Sequence, residues 1–111
     1  MNTTSAILLL LFAALLETGG DALIRLGLRG GTPLVRALWM LAGGVVLFAY
    51  GYTVNAPGWD FGRLLGIYVV LFFVIAQLVS WLVFHQRPGL PIVVGGGFIV
   101  LGGIVLSTWK A

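Results

Sequence analysis

Three ionisable residues, Glu17, Asp21 and Arg25, recur at four-residue spacing early in the chain. On an α-helix, positions i, i+4 and i+8 project from one face, so the three form a charged stripe. The stripe lies in TSAILLLLFAALLETGGDALIRLGL, residues 4–28, an otherwise apolar run with Glu17 about halfway along it. A carboxylate at the middle of a lipid-spanning helix costs roughly 3 kcal/mol unless it is protonated, paired or facing a water-filled cavity. Low dielectric favours the neutral acid, so Glu17 is expected to hold a proton in one state and a cation in another. That is the minimal chemistry of proton-coupled exchange. Asp21 is a further candidate to bind protons or solute, although Asp21 and Arg25 can also neutralise each other and serve structure alone; Arg25 stands two turns from Glu17, too far for direct contact along one helix. Gly19 and Gly20 leave room beside the stripe.

A second set of candidate residues lies in RLLGIYVVLFFVIAQLVSWLVF, residues 63–84. Tyr68 offers a hydroxyl and a π face able to hold a cation. Gln77 offers an amide for a hydrogen bond, either to a solute or between helices. Phe72 and Phe73 read as packing or lipid contact, and His85 as a loop or interface residue. No metal-ligand spacing and no nucleophile–base arrangement is visible. Gly95-Gly96-Gly97 follows no strand and precedes no Lys-Ser/Thr, so it is no phosphate loop. The chain is therefore not expected to be an enzyme or to carry a metal or cofactor.

These residues need elements to position them, and composition names the elements. Of 111 residues, 60% are hydrophobic and 8% charged. A soluble domain of this size cannot bury so much apolar surface, so lipid must cover part of it. Runs of roughly 20 apolar residues cross the hydrocarbon, and four fit, at about 4–28, 36–56, 63–84 and 91–109. The expected fold is all-α: one four-helix transmembrane domain over residues 1–111. A signal peptide is the lesser reading of the first run, because a basic n-region is missing and Glu17 interrupts it.

Short connections carry the turn chemistry. Arg29-Gly30-Gly31-Thr32-Pro33, Asn55-Ala56-Pro57-Gly58 and His85-Gln86-Arg87-Pro88-Gly89-Leu90-Pro91 each break helical periodicity. Trp39, Trp59, Trp81 and Trp109 sit near span ends, as in an interfacial aromatic belt. The net charge of +3 falls at helix ends, where it sets orientation and meets lipid headgroups; nucleic acid is not an expected partner. Arg25, Arg29, Arg36 and Arg87 flank the first and third connections, against Arg63 and Lys110 on the other side. That bias places the two connections in the cytoplasm and both termini outside. It is weak enough for the chain to insert both ways round, which would give an inverted pair. The chain has no cysteine, hence no disulfide framework.

Gly95 and Gly102 are seven residues apart, as are Gly96 and Gly103, and Gly44 and Gly51 repeat the interval in the second run. Small residues let apolar helices approach in lipid. Four helices are few to enclose a cavity around Glu17, so Gly95, Gly102, Gly96 and Gly103 are expected on a homodimer seam.

With these residues in view, the chain resembles the small multidrug resistance family of the drug/metabolite transporter superfamily. The resemblance covers about residues 13–107. It rests on the central Glu17, on Leu78-Val79-Ser80-Trp81-Leu82-Val83-Phe84-His85-Gln86-Arg87 followed by Leu90-Pro91, and on Gly95 and Gly102. Leu47-Phe48-Ala49 and Gly62-Arg63 with Tyr68 are similar to its YnfA-type branch. The resemblance implies an antiparallel, dual-topology homodimer in a bacterial inner membrane. In it Glu17 of both copies binds protons and a cationic solute in competition, and Tyr68 occupies the position of a substrate-stacking aromatic. The chain departs from the family at Val70 and Phe72, where the family has a glycine pair, at Asp21 and Arg25, and at Gly20, where the guanidinium-exporting branch has Trp. A divergent branch with its own solute is expected. Three roles are open at this point: a proton-coupled exporter of a small cationic or amphipathic solute, a lipid-linked-sugar flippase subunit, or a non-transporting scaffold locked by Glu17, Asp21 and Arg25.

Overall fold

A computed structural model describes residues 2–109; Lys110, counted above for orientation, lies outside them. The chain is built from four helices, α1 (Thr3–Arg29), α2 (Pro33–Val54), α3 (Phe61–Phe84) and α4 (Leu90–Thr108). All four are long and apolar enough to cross a membrane. At 1.5 Å per residue α4 spans about 28 Å, close to the hydrocarbon thickness, and α1 about 40 Å. The chain is thus an all-α, multi-pass integral membrane protein.

The observed helices differ from the expected spans by a few residues at their ends, and capping explains the largest difference. α2 begins at Pro33 rather than near 36 because the Thr32 hydroxyl accepts the Val35 N–H at 3.3 Å and Pro33 occupies the first turn. Asn2 caps α1 in the same way, accepting from Ser5 N–H at 2.8 Å. Gly31, at φ 96°, makes the left-handed step between α1 and α2.

The final carbonyls of each helix have no partner within the helix, and lipid supplies none. Side chains and loop amides fill this role. Arg36 Nε donates to the Gly27 carbonyl of α1 at 2.9 Å, and Asn55 Nδ2 donates to Gly51 of α2 at 2.8 Å. The Gln86 N–H donates to Ser80 of α3 at 3.0 Å. On α4, Arg63 Nε donates to Leu106 at 3.2 Å and Thr108 Oγ1 to Ile104 at 2.6 Å.

The chain divides into two compact units, residues 1–57 and 58–111. In the first, α1 packs on α2 through glycines. A Cβ on Gly20 would meet Leu47 Cγ at 2.7 Å, and one on Gly43 would meet Ile24 Cγ1 at 2.6 Å and the Gly20 carbonyl oxygen at 2.8 Å. Seven residues beyond Gly20, a Cβ on Gly27 would stand 2.9 Å from Met40 Cγ and 3.0 Å from the Arg36 carbonyl oxygen. In the second unit α3 packs on α4: Gly96 receives Phe73, Gly103 receives Val70, and Gly66 receives Leu106.

This pattern corrects two expectations. Gly20 does not leave open space beside the charged stripe; Leu47 fills it, whereas the space at Gly19 is open. Gly96 and Gly103, expected on a dimer seam, are buried inside the subunit against α3. Gly95 and Gly102 are exposed with open space before them, as is Gly44; Gly51 is half-buried with the same open space.

Gly43 and Gly44 give a matched test. Gly43→Ala drives a methyl group into the Gly20 backbone and should cost about 1–3 kcal/mol, whereas Gly44→Ala enters open space and should fall within about 0.5 kcal/mol of the parent. Equal midpoints for the two variants in denaturant titrations of the detergent-solubilised protein would remove Gly43 from the packing role.

Candidate functional site

α1 carries the charged stripe as one uninterrupted helix, so Glu17, Asp21 and Arg25 do share a face. Glu17 lies one residue past the middle of α1, and Asp21 about 6 Å further along. Accessibility along this stripe is graded. Ala6, Leu10 and Ala14 are fully buried, Glu17 is half-buried, Asp21 is exposed, Arg25 is half-buried and Leu28 is exposed. The carboxylate of Glu17 thus stands where a closed apolar stripe begins to open.

Glu17 is not isolated by its distance from Arg25: both residues are engaged by partners in the folded chain. Asp21, in contrast, shows no hydrogen bond or salt bridge among the described residues, so the self-contained Asp21–Arg25 pair is not seen. Thr18, polar but unmarked by any motif, is 5% exposed. Its hydroxyl donates to the Ala14 carbonyl at 2.8 Å and lies 3.3 Å from that of Leu15, so the group beside Glu17 is satisfied locally. A Thr in an apolar helix turning its hydroxyl back on the preceding turn was the available signal.

In the second unit Tyr68 is 4% exposed, with its ring tilted against Phe72 at 6.1 Å between centroids. Tyr68 and Gln77 are nine residues apart, two and a half turns, and therefore project from opposite sides of α3. Gln77 lies on the side that faces α4. There it lines a groove of about 520 Å³ with Phe73, Pro88, Val93, Gly96 and Gly97, open because the two glycines contribute no side chain. The structure therefore does not place Tyr68 and Gln77 in one site of the same subunit. Among the described residues no group of three His, Cys, Asp or Glu side chains stands close enough to hold a metal ion.

The segment from Ser80 to Arg87 proves to be a helix stop. His85 adopts the left-handed conformation, φ 56° and ψ 35°, and its N–H donates to the Ser80 carbonyl. The Ser80 hydroxyl lies 3.2 Å from Gln86 Oε1. His85 is exposed and serves to end α3.

The comparisons fit this architecture. A model of the family described as "Uncharacterised BCR, YnfA/UPF0060 family" matches residues 3–111. The chain belongs to the YnfA/UPF0060 family. A UPF0060 membrane protein of Herpetosiphon aurantiacus is 30% identical over 98% of both chains. The UPF0060 membrane protein YfjF of Bacillus subtilis is 36% identical over 90% of both, and a relative from Bacillus licheniformis is 37% identical over 94% of both. No solved structure matches the chain. The bacterial relatives are membrane proteins of the same length, in keeping with the four apolar helices.

The left-handed position gives a prediction. A non-glycine residue there carries a cost of roughly 1 kcal/mol, so His85→Gly should leave the protein as stable or raise its stability by up to about 1 kcal/mol. A loss of stability in thermal unfolding would show that the imidazole does more than end the helix.

Proposed function

We propose that the protein is a proton-coupled membrane transporter that exports a small cationic or amphipathic organic solute. The carrying observation is Glu17, a half-buried carboxylate one residue from the middle of a membrane-crossing helix. Its protonated form is tolerated by low dielectric and its ionised form attracts a cation, so the two ligands compete for one group. The stripe that closes from Ala14 back to Ala6 and opens toward Asp21 supports a solute path reaching Glu17 from one end of α1.

Kinship with small multidrug resistance transporters belongs to the same proposal, as does assembly into an antiparallel homodimer. Gly95 and Gly102, exposed at seven-residue spacing on α4, supply a face on which a second backbone can approach. Tyr68 is assigned to solute contact through its ring; Gln77, on the far side of α3, is assigned to helix contact. The alternative, a non-transporting scaffold locked by Glu17, Asp21 and Arg25, would need Asp21 to close the lock, and Asp21 makes no hydrogen bond or salt bridge among the described residues.

Two experiments test this reading. In detergent or liposomes, quaternary ammonium cations should displace protons from the protein. Because protonation neutralises Glu17, apparent cation affinity should fall with falling pH, by at most about tenfold per unit for one displaced proton. Glu17→Gln should abolish the displacement while leaving the helices and the assembly intact; unchanged displacement in that variant sinks the proposal. For the assembly, Gly102→Leu should dissociate the dimer in cross-linking assays while the α3–α4 pair stays folded. Gly103→Leu should instead disrupt that pair.

A further inference from the structure

The end of the first unit that carries the α1–α2 connection is cationic. Arg29 is exposed in the last turn of α1, and Arg36 is exposed in the first turn of α2. The acids of this unit, Glu17 and Asp21, lie deeper in α1, with Asp21 about 12 Å short of Arg29 along the helix. Arg36 is also held in place: its Nε donates to the Gly27 carbonyl at 2.9 Å, so the guanidinium is tethered while its terminal amino groups make no other hydrogen bond among the described residues.

On the adjoining face of α2, about 100° round the helix from Arg36, lies a groove of about 370 Å³ lined by Val35, Leu38, Trp39 and Ala42. The spacing i, i+3, i+4, i+7 places the four on one helix face, extending about 10 Å from the membrane edge inward. Trp39 is 39% exposed in the second turn of α2, an amphipathic ring of the kind enriched where headgroup meets hydrocarbon.

We propose that this end of the unit binds an anionic phospholipid, with its phosphate against Arg36 and Arg29 and one acyl chain in the groove. Charge complementarity selects the headgroup, because two guanidinium groups at the end of a unit whose own described carboxylates lie deeper in α1 attract a net negative lipid and disfavour a zwitterion's ammonium. The apolar groove selects a lipid over free phosphate, which would gain nothing from Val35, Leu38 and Ala42. The other unit supplies a control. Arg63 also donates to a helix-end carbonyl, that of Leu106 at 3.2 Å, but its guanidinium lies over the Trp59 ring at 5.8 Å. That cation already covers an aromatic face and is expected to hold no lipid.

The test uses the purified full-length protein, delipidated in detergent, with native mass spectrometry and quenching of tryptophan fluorescence by brominated phosphatidylglycerol or phosphatidylcholine. One phosphatidylglycerol per chain should be retained at least fivefold over phosphatidylcholine. Arg36→Gln and Arg29→Gln should each weaken retention roughly fivefold, the loss expected for one basic residue at an anionic headgroup. Ala42→Phe should fill the groove and remove retention while leaving the Arg36–Gly27 bond, and Arg63→Gln should change nothing. If Arg36→Gln fails to fold, Arg29→Gln and Ala42→Phe decide, since neither touches that bond. Equal retention of the two lipids, wild-type retention in Ala42→Phe, or glycerol phosphate binding as tightly as the whole lipid would overturn the proposal. Retention that tracks the dimer fraction rather than Arg36 would also overturn it, assigning the groove to a second copy.

Discussion

Apolar helices surrounded by hydrocarbon have no hydrophobic reason to leave it for one another, so close approach of backbones must supply the attraction. In this protein that approach is made by glycine. Gly20 and Gly43 bring α1 and α2 so near that neither could carry a methyl group without movement, and Gly27 extends the seam seven residues on. Gly96 and Gly103 do the same for α4 against α3. Everything else in each helix pair is arranged around these contacts: Leu47 and Ile24 fill the spaces beside one seam, Val70 and Phe73 those beside the other.

The same medium dictates how the ends are finished. A carbonyl left bare in lipid costs several kcal/mol (about 2–7 for an amide-like group), and each helix ends with donors supplied from nearby. The arginines are instructive. Arg36 and Arg63 each begin one helix of a pair and donate to the closing carbonyls of the other, Gly27 and Leu106. Cations that a charge count reads only as topology signals therefore also join helices.

Glu17 sits inside this arrangement as the exception. The helix around it is apolar, its neighbour Thr18 is satisfied by the preceding turn, and the stripe it belongs to passes from buried to exposed at its position. Asp21 extends the negative charge toward the open end.

Much of the fold was legible in the sequence because the membrane imposes a single rule, that about 20 apolar residues make one helix, and the turns are marked by Gly and Pro. The helix-one stripe was equally legible, since α-helical periodicity alone fixes which side chains share a face. The use of each glycine was not. Gly95 and Gly96, or Gly102 and Gly103, are adjacent and chemically identical, and a 100° rotation about the helix axis decides which of each pair meets α3 and which stays exposed. Likewise the Ser80–Arg87 segment stood out as a motif, yet its work as a left-handed helix stop appears only once Ser80, His85 and Gln86 are folded together. Composition and periodicity determined that the chain crosses a membrane four times with a carboxylate at mid-depth. Only the tertiary structure decided that Glu17 has partners, that Gln77 turns away from Tyr68, and which small residues are already used within the chain, because those depend on how helices rotate against one another.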